Sequence, residues 1–184
     1  KRLIGAQTGW SLAHMAAIYA RLGNGNKALD CLNILSRSCL LNNLFTLHND
    51  WRNMGVCMNM PSAPIQMDAN MGLINAIQEM LIYVSASFVK LLPALPDQWK
   101  EGQVRDLRIM TGRISFSWNR SSGLFEAELI AERDTEIILK LPEFVECVVW
   151  KGDKTSIAES DLGAQCYQIQ LNKGQKIGIQ SEPR

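Results

Sequence analysis

Residues 114–129 have the sequence ISFSWNRSSGLFEAEL, and this stretch decides the fold class of the second half of the chain. Apolar side chains alternate with serines before the polar turn at 120–123 and with glutamates after it. A period of two on both sides of a polar turn predicts an antiparallel hairpin with one buried and one solvated face. Further strand-like runs lie before it at 105–110 and after it at 135–141, 146–151, 165–171 and 175–180. The sequence therefore predicts an antiparallel β-sandwich.

The first part of the chain has a helical pattern instead. Apolar side chains recur every three or four positions at about 12–22, 27–40 and 70–84, which predicts three helices. Thr8 or Ser11 is expected to cap the first helix, because a hydroxyl oxygen can accept a hydrogen bond from an N–H group of the first turn.

Charge density divides the chain into two parts. Ten charged side chains lie in residues 1–86, and the other 27 lie in residues 87–184. The first helix is apolar on nearly every side, and three helices are too few to bury their own apolar faces. We therefore expect a helical domain at 1–86, a β-domain with its linker at 87–184, and a chain that forms the C-terminal part of a longer protein.

The balanced charge argues against two classes of partner. Nineteen basic and eighteen acidic side chains leave a net charge of +1, so we expect neither nucleic acid nor an anionic membrane surface as a partner. No apolar run reaches about 18 residues, the length that a membrane-spanning helix needs. Residues 1–4, KRLI, do not begin a signal peptide, and the parent protein is either secreted or cytoplasmic.

The histidines and cysteines do not have the spacing of a metal site. His14, His48 and five scattered cysteines form no Cys-x-x-Cys pair and no His-x-x-x-His pair. The odd number of cysteines favours reduced or buried thiols over a disulfide framework. The sequence also contains no nucleophile elbow, phosphate-binding loop or dinucleotide motif, so we predict no metal and no cofactor.

Asp68 is the candidate catalytic residue. It lies where a long irregular stretch at 41–67 enters the third helix, in a region with few charged side chains. Its carboxylate either caps that helix or stands ionised at the mouth of a helical scaffold, since the positive end of a helix favours a negative charge. Trp10, Trp51 and His48 either stack on a sugar and hydrogen-bond to it or belong to the core.

Several segments, in order along the chain, resemble the C-terminal region of glycoside hydrolase family 95, which contains the 1,2-α-L-fucosidases. They are TGWSLA at 8–13, ARLGNG at 20–25, NLFTLH at 43–48, IQMDANMG at 65–72 and LLPALPDQW at 91–99. The family has Thr-Gly-Trp-Ser in the first segment, Asn-Leu-Phe-x-x-His in the third and Gln-Ile-Asp-Gly-Asn-Phe-Gly in the fourth. Their shared order makes the resemblance more specific than any one motif.

The resemblance implies an α+β fragment, in which the last helices of an (α/α)₆ barrel are followed by an antiparallel β-sandwich domain. It also implies inverting hydrolysis of a terminal α-L-fucoside, in which a glutamic acid protonates the leaving oxygen and an asparagine positions the attacking water. Asp68 matches the aspartate behind that asparagine, and His48 matches a histidine of the substrate pocket. Trp10 and Asn70 lie in matched segments and are further substrate-binding candidates.

The resemblance assigns the general acid and the asparagine to an earlier part of the barrel. The 184 residues alone are therefore expected to be inactive and to self-associate through apolar helix faces. Ala69 and Met71 replace the Gly and Phe that the family usually has, so a related L-galactoside is an alternative substrate. A non-catalytic carbohydrate-associated or interaction module is the alternative function. The expected partners are a glycan and the missing barrel portion.

Overall fold

The computed structural model describes residues 7–55, 57, 59–153 and 156–181. The expectation about a signal peptide rests on residues 1–4, which lie outside the described residues. The helices are α1 (Gly9–Arg21), α2 (Gly25–Ser38) and α3 (Met67–Leu81). The strands are β1 (Ile82–Val84), β2 (Phe88–Leu91), β3 (Glu101–Ile109), β4 (Gly112–Asn119), β5 (Leu124–Ala131), β6 (Thr135–Lys140), β7 (Val148–Gly152), β8 (Ser156–Glu159), β9 (Cys166–Leu171) and β10 (Lys176–Ser181). The fold class is α+β, as predicted.

The chain divides into two compact units, which are interleaved in sequence. The helical unit consists of Lys1–Leu81 and Pro93–Asp97. The β unit consists of Ile82–Leu92 and Gln98–Arg184. The chain therefore leaves the helical unit after α3, returns to it for a short segment after β2, and leaves it again before β3.

The returning segment Pro93–Asp97 is held in the helical unit by polar contacts. The side-chain oxygen of Asn26 accepts a hydrogen bond from the N–H of Asp97 at 2.8 Å, and its amide donates to the Asp97 carboxylate at 2.8 Å. At Gly25 a Cβ atom would lie 2.2 Å from the carbonyl oxygen of Ala94, so only glycine fits at the start of α2.

α1 and α2 pack against each other across a short turn. Thr8 is the N-cap of α1, and its N–H donates to the hydroxyl oxygen of Ser11 at 2.9 Å. Gly23 has a φ of +72°, a left-handed conformation that ends α1 at little steric cost. The side chain of Asn24 then accepts from the N–H of Lys27 at 3.1 Å and caps α2.

α3 begins and ends earlier than its sequence pattern predicts. It spans Met67–Leu81 rather than 70–84. Ile82–Val84 form β1 and pair with β2 in an antiparallel ladder, because β-branched and aromatic side chains favour extended backbone. The apolar residues at 82–84 thus continue the helical periodicity of α3 but belong to a strand.

Small side chains bring α1 and α3 close together. A Cβ atom on Gly72 would lie 2.9 Å from the Cβ of Ala13, closer than two carbon atoms pack in proteins. Toward the other end of the two helices, the Arg21 guanidinium and the Glu79 carboxylate form a two-bond ion pair, with distances of 2.6 Å (Nη2 to Oε1) and 3.0 Å (Nε to Oε2). The two helices are thus fixed at both ends.

α1 is buried on one face only. Its buried residues are Gly9, Leu12, Ala13, Ala16 and Ala20. Trp10, Ile18 and Leu22 are exposed, the last by 73%. Part of the apolar surface of this helix is therefore not covered by the other described residues.

The described β unit contains two five-stranded sheets, with the orders β1-β2-β6-β9-β8 and β3-β4-β5-β10-β7. The predicted hairpin is β4–β5, in which Phe116 lies opposite Ala127 and Trp118 lies opposite Phe125. β2 pairs with β6 in parallel, which corrects the prediction of a wholly antiparallel sandwich. This parallel pair is possible because β3, β4 and β5 form the crossover connection between its strands. β1, β2 and β8 were not predicted from the sequence.

Alternating side chains form the core of the β unit. The buried ones on the hairpin include Ile114, Phe116, Trp118, Phe125, Ala127 and Leu129. The rings of Trp150 on β7 and Tyr167 on β9 meet edge to face with centroids 5.0 Å apart, which joins the two sheets. The apolar side of the predicted hairpin is therefore its buried side.

We expect Gly72→Ala to lower the free energy of unfolding by about 1–3 kcal/mol, the usual cost of overpacking. The new methyl group would overlap the Cβ of Ala13. Urea unfolding followed by circular dichroism measures the change. Ala13→Gly removes the overlapped atom. The double variant should therefore lose less free energy of unfolding than the sum of the losses of the two single variants. If the two losses of unfolding free energy were fully additive, the contact between positions 13 and 72 would not limit the packing.

Candidate functional site

Three segments meet at the N-terminal end of α3. A Cβ atom on Gly9 would lie 3.2 Å from each of three atoms, namely the Cβ of Ala69, Oε1 of Gln66 and the carbonyl oxygen of Leu47. The N–H of Trp10 donates to Oε1 of Gln66 at 3.2 Å. We call this surface the α3 face and define it by residues 8–13, 43–48 and 65–72.

Asn70 ties the segment that leads to His48 onto α3. Its Oδ1 accepts a hydrogen bond from the N–H of Thr46 at 2.9 Å and lies 2.9 Å from the Thr46 hydroxyl. Its Nδ2 donates to the carbonyl oxygen of Leu44 at 2.6 Å. Thr46 is fully buried, and its hydroxyl also contacts the carbonyl oxygen of Gln66. Both polar atoms of the Asn70 amide are therefore engaged within the protein.

His48 lies directly after this tied segment and is half-buried. Its backbone N–H donates to the carbonyl oxygen of Pro64 at 3.0 Å, and Leu47 pairs with Ile65 in an isolated antiparallel bridge. Within the described ranges, Nδ1 of His48 is buried and has no hydrogen-bond partner. A buried polar atom without a partner carries a free-energy cost, so Nδ1 can gain from a group beyond those described.

Asp68 lies in the first turn of α3, and its interpretation as the N-cap is wrong. The helix begins at Met67, and the carbonyl of Gln66 accepts from the N–H groups of Ala69 and Asn70 at 3.2 and 3.4 Å. Asp68 is exposed, and its Oδ1 accepts from the N–H of Ala69 at 3.0 Å. The helix dipole stabilises a carboxylate in the first turn even when it is not the cap. Asp68 is thus an exposed carboxylate at the positive end of a helix.

The two candidate tryptophans have different surroundings. Trp10 is 46% exposed, and its ring centroid lies 6.1 Å from that of His14 with the planes tilted by 53°. Trp51 instead donates its Nε1–H to the carbonyl oxygen of Leu40 at 3.1 Å, and the Arg52 guanidinium lies 4.1 Å from its ring centroid. Trp10 therefore offers an open aromatic surface, whereas Trp51 anchors its loop.

The loop between His48 and α3 is held by polar contacts. Nη1 of Arg52 lies 2.8–3.2 Å from three carbonyl oxygens at and just after the C-terminal end of α2, those of Ser36, Arg37 and Leu40. Such carbonyls lack partners within their own helix, so the guanidinium satisfies them. Asn49 and Met60 exchange two hydrogen bonds, each of 2.9 Å, across the loop. The long irregular stretch is therefore an ordered part of the helical unit where it is described.

Gln66, Thr46 and Arg52 position this site, although they were not among the residues predicted for it. Gln66 and Thr46 lie inside segments that resemble the family, so the resemblance contained a signal for them. Arg52 had no local signal, because its carbonyl partners lie 12 to 16 residues earlier in the chain. Hydrogen bonds over such separations depend on the tertiary fold.

The α3 face offers a carboxylate, an imidazole and an open indole ring. Such a set can hydrogen-bond to sugar hydroxyls and stack on the apolar side of a pyranose ring. Inverting hydrolysis needs an acid and a base about 6.5–9.5 Å apart on opposite sides of the sugar. The three segments of the α3 face contain one carboxylate, Asp68, which is at most one of the two groups that such a reaction needs.

The described part of the chain has neither a cluster of metal ligands nor a helix that could span a membrane. No group of three or more His, Cys, Asp or Glu side chains there has an arrangement that could hold a metal ion. None of the described helices is long and apolar enough to cross a membrane.

Comparison with known proteins finds relatives among fucosidases. Alpha-L-fucosidase 2 of Arabidopsis thaliana is 32% identical over 142 residues, which cover 68% of this chain and 15% of that protein. Probable alpha-fucosidase A of Aspergillus niger is 31% identical over 128 residues, which cover 63% of this chain and 15% of that protein. The chain thus spans only a small part of the length of the curated relatives it matches.

A solved structure with some likeness is a family 127 β-L-arabinofuranosidase from Geobacillus stearothermophilus T6. The match covers 92% of this chain and 30% of that one, with 13% sequence identity and a TM-score of 0.36. A TM-score this low supports no conclusion about fold or activity.

Two family models match consecutive parts of the chain. The model for the glycosyl hydrolase family 95 catalytic domain matches residues 1–81, which include all three segments of the α3 face. The model for the glycoside hydrolase family 95 C-terminal domain matches residues 85–179, more than half of the chain. The chain belongs to glycoside hydrolase family 95.

Proposed function

We propose that this chain is the C-terminal part of an inverting glycoside hydrolase that removes terminal α-L-fucosyl units. The observation that carries the proposal is the meeting of the segments with Trp10, His48 and Asp68 at one helix end. Relatives of the chain carry the names alpha-L-fucosidase and probable alpha-fucosidase. A related L-galactoside is the alternative substrate, because Ala69 and Met71 depart from the usual family sequence.

The helical unit in this proposal is the last portion of an (α/α)₆ barrel. Apart from Trp10, most exposed large apolar side chains of the described residues lie in this unit, at Ile18, Leu22, Leu44, Phe45, Met54, Met60, Ile65, Met67, Met71 and Ile74. Apolar surface of this extent is typical of a face that another part of the protein covers. The earlier barrel helices are the occupant we assign to it.

Asp68 acts in this scheme as a positioning residue. An exposed carboxylate in the first turn of α3 can accept a hydrogen bond from the amide of an asparagine on an earlier barrel helix. That bond orients the amide so that its oxygen takes a proton from the attacking water, while a glutamic acid on the opposite side protonates the leaving oxygen.

His48, Trp10 and Asn70 have different parts in the proposed site. Nδ1 of His48 is enclosed by the described residues, so the half-buried imidazole would meet a sugar hydroxyl through its other ring nitrogen, Nε2. The open ring of Trp10 is suited to stacking on a sugar. Asn70 has both amide atoms engaged, which supports a positioning role through the segment that carries His48.

A second candidate function, a carbohydrate-associated module without catalysis, is favoured by one feature of the β unit. A groove of about 320 Å³ lies over the β3-β4-β5-β10-β7 sheet, and its lining includes the polar side chains of Gln103, Ser117, Glu126, Lys151 and Gln180. These side chains can hydrogen-bond to sugar hydroxyls. The only aromatic residue in the lining is Phe116, which is buried and cannot stack on a sugar. The groove therefore supports this function less than the α3 face supports catalysis.

In the full-length parent protein, we expect Asp68→Asn to reduce kcat on a 2-linked α-L-fucoside by roughly 10²-fold or more, the scale of general-base assistance. The unfolding free energy should fall by only about 0.3–1 kcal/mol, because the substitution removes an interaction with the helix dipole but keeps the side-chain size. The measurements are kcat, the melting temperature and, for the unaltered enzyme, the first-formed anomer by NMR, which should be β.

Asp30→Asn is the matched control, because it removes an exposed helical carboxylate outside the α3 face. Its kcat should equal that of the unaltered enzyme. A normal kcat for Asp68→Asn would remove Asp68 from the mechanism. An unaltered parent protein that turns over neither α-L-fucosides nor L-galactosides would contradict the proposed function itself.

Asn70→Ala tests the positioning role. Loss of its hydrogen bonds to Thr46 and Leu44 should lower the free energy of unfolding by about 1–3 kcal/mol and lower kcat/KM in the parent enzyme. Thr46→Val keeps the buried volume but removes the hydroxyl, so it should act in the same direction. Denaturant unfolding and steady-state kinetics on both variants measure this. A loss of kcat/KM with unchanged stability would instead make Asn70 a direct substrate contact.

Self-association tests the assignment of the apolar helix surface. Light scattering should find the 184-residue chain in oligomers, because its exposed apolar side chains lack the earlier barrel helices. Residues 82–184, which keep β1 and β2, should remain monomeric. Met71→Lys with Ile74→Lys, both exposed on α3, should weaken the association of the full chain. A monodisperse monomer of the unaltered chain would contradict the assignment.

A further inference from the structure

Two buried thiols touch each other in the helical unit. Cys39 is the C-cap residue of α2, and its S–H donates to Sγ of Cys57 at 3.6 Å. Cys39 is 0% exposed and Cys57 is 4% exposed, and both belong to an apolar cluster with Leu12, Ala13 and Leu35. Since the sulfurs of a disulfide are about 2.05 Å apart, bond formation requires them to approach by only about 1.5 Å.

The loop that carries Cys57 is shaped to reach α2. Asn53 and Gly55 have φ values of +53° and +74°, and two such left-handed residues turn the chain sharply. Nδ2 of Asn59 donates to Oδ1 of Asn53 at 3.1 Å, and Arg52 holds the loop on the carbonyls of α2. Anchors on both sides of Cys57 therefore keep it next to Cys39.

The hydrogen bond between the two thiols makes the two sulfurs chemically different. The Ser38 hydroxyl donates to the carbonyl oxygen of Ile34 at 2.6 Å, and its oxygen lies 3.4 Å from each sulfur. The hydrogen bond from Cys39 lowers the pKa of Cys57 to about 7, against the opposing effects of burial and of the Asp50 charge. The same hydrogen bond, with burial, raises the pKa of Cys39. Cys57 is therefore the sulfur that ionises first.

We propose that Cys39 and Cys57 are a redox pair that closes to an intramolecular disulfide when the protein meets a small-molecule disulfide. Closure places residues 40–56 inside a covalent ring. This ring contains the Thr46 contacts to α3 and also His48. A bond between the sulfurs therefore fixes the loop to α2 covalently at a point where it is now held by hydrogen bonds and packing.

The reaction is a two-step thiol–disulfide exchange with a disulfide such as oxidised glutathione. Cys57 loses its proton and attacks one sulfur of the oxidant, whose S–S bond breaks to release one glutathione thiolate. Cys39 then loses its proton and attacks the Cys57 sulfur of the mixed disulfide, which releases the second thiolate. Two cysteine thiols are oxidised, one glutathione disulfide is reduced to two thiols, and the two protons pass to the leaving thiolates. Because Cys57 is 4% exposed, the first step requires local opening of its loop.

Peptide mapping after equilibration in glutathione buffers tests the proposal. The full chain is held at increasing ratios of oxidised to reduced glutathione, quenched with acid, denatured, alkylated and digested for mass spectrometry. We expect a linked pair of peptides containing Cys39 and Cys57, lighter by two hydrogens than the separate peptides. The melting temperature should rise by on the order of 5 °C or more on oxidation and return on reduction. Cys147 is exposed and serves as an internal control, because its mixed disulfide with glutathione shows that the oxidant is active.

Single substitutions identify the bond and guard against artefacts. Cys39→Ala and Cys57→Ala should each abolish the oxidation-dependent rise in melting temperature, whereas Cys31→Ala and Cys166→Ala, at the other buried cysteines, should keep it. If Cys39 and Cys57 are both recovered alkylated in the unaltered protein while Cys147 is modified, the proposal is wrong. A Cys57–glutathione adduct that does not proceed to the linked pair would overturn it equally.

Discussion

The close approach of α1 and α3 through small residues is the constraint on which the α3 face depends. Gly72 meets Ala13 between the two helices, and Gly9 meets Ala69 and the Leu47 backbone at the helix ends. Protein interiors are packed too densely to absorb an added methyl group without displacement. A larger side chain at these positions would move the segment that carries the histidine as well as the helix that carries the aspartate. The geometry of the polar groups on the α3 face is thus set by small residues where the two helices touch.

Patterns of apolar residues were sufficient to predict the helices and the central hairpin, since each pattern extends over many residues. The order of the matched segments also made Trp10, His48 and Asp68 candidates for one site, which stays a prediction. Ile82–Val84 were assigned to the wrong element because three apolar residues fit a helical period as well as a strand. The parallel pairing of β2 with β6 could not be predicted from the local sequence, because three other strands lie between these two strands in the chain.

The contacts that order the α3 face were harder to predict than the helices that carry it. Asn70 was selected as a substrate ligand from its place in a motif, yet its amide reaches back 24 residues to Thr46. The contact between Cys39 and Cys57 likewise joins positions 18 residues apart without any recognised spacing. Such contacts arise from the turn that the loop makes after α2. They depend on backbone conformations at Asn53 and Gly55 that composition and periodicity do not encode.

The short segment Pro93–Asp97 has a consequence for how this protein can have been assembled. It belongs to the helical unit although strands of the β unit precede and follow it in the chain. A recombination event with a single breakpoint between α3 and β3 would separate either β1 and β2 from their sheet or this segment from Asn26. Neither product would retain two intact cores. Exchange of the C-terminal domain between genes is therefore penalised, and the two parts are constrained to be inherited as one unit.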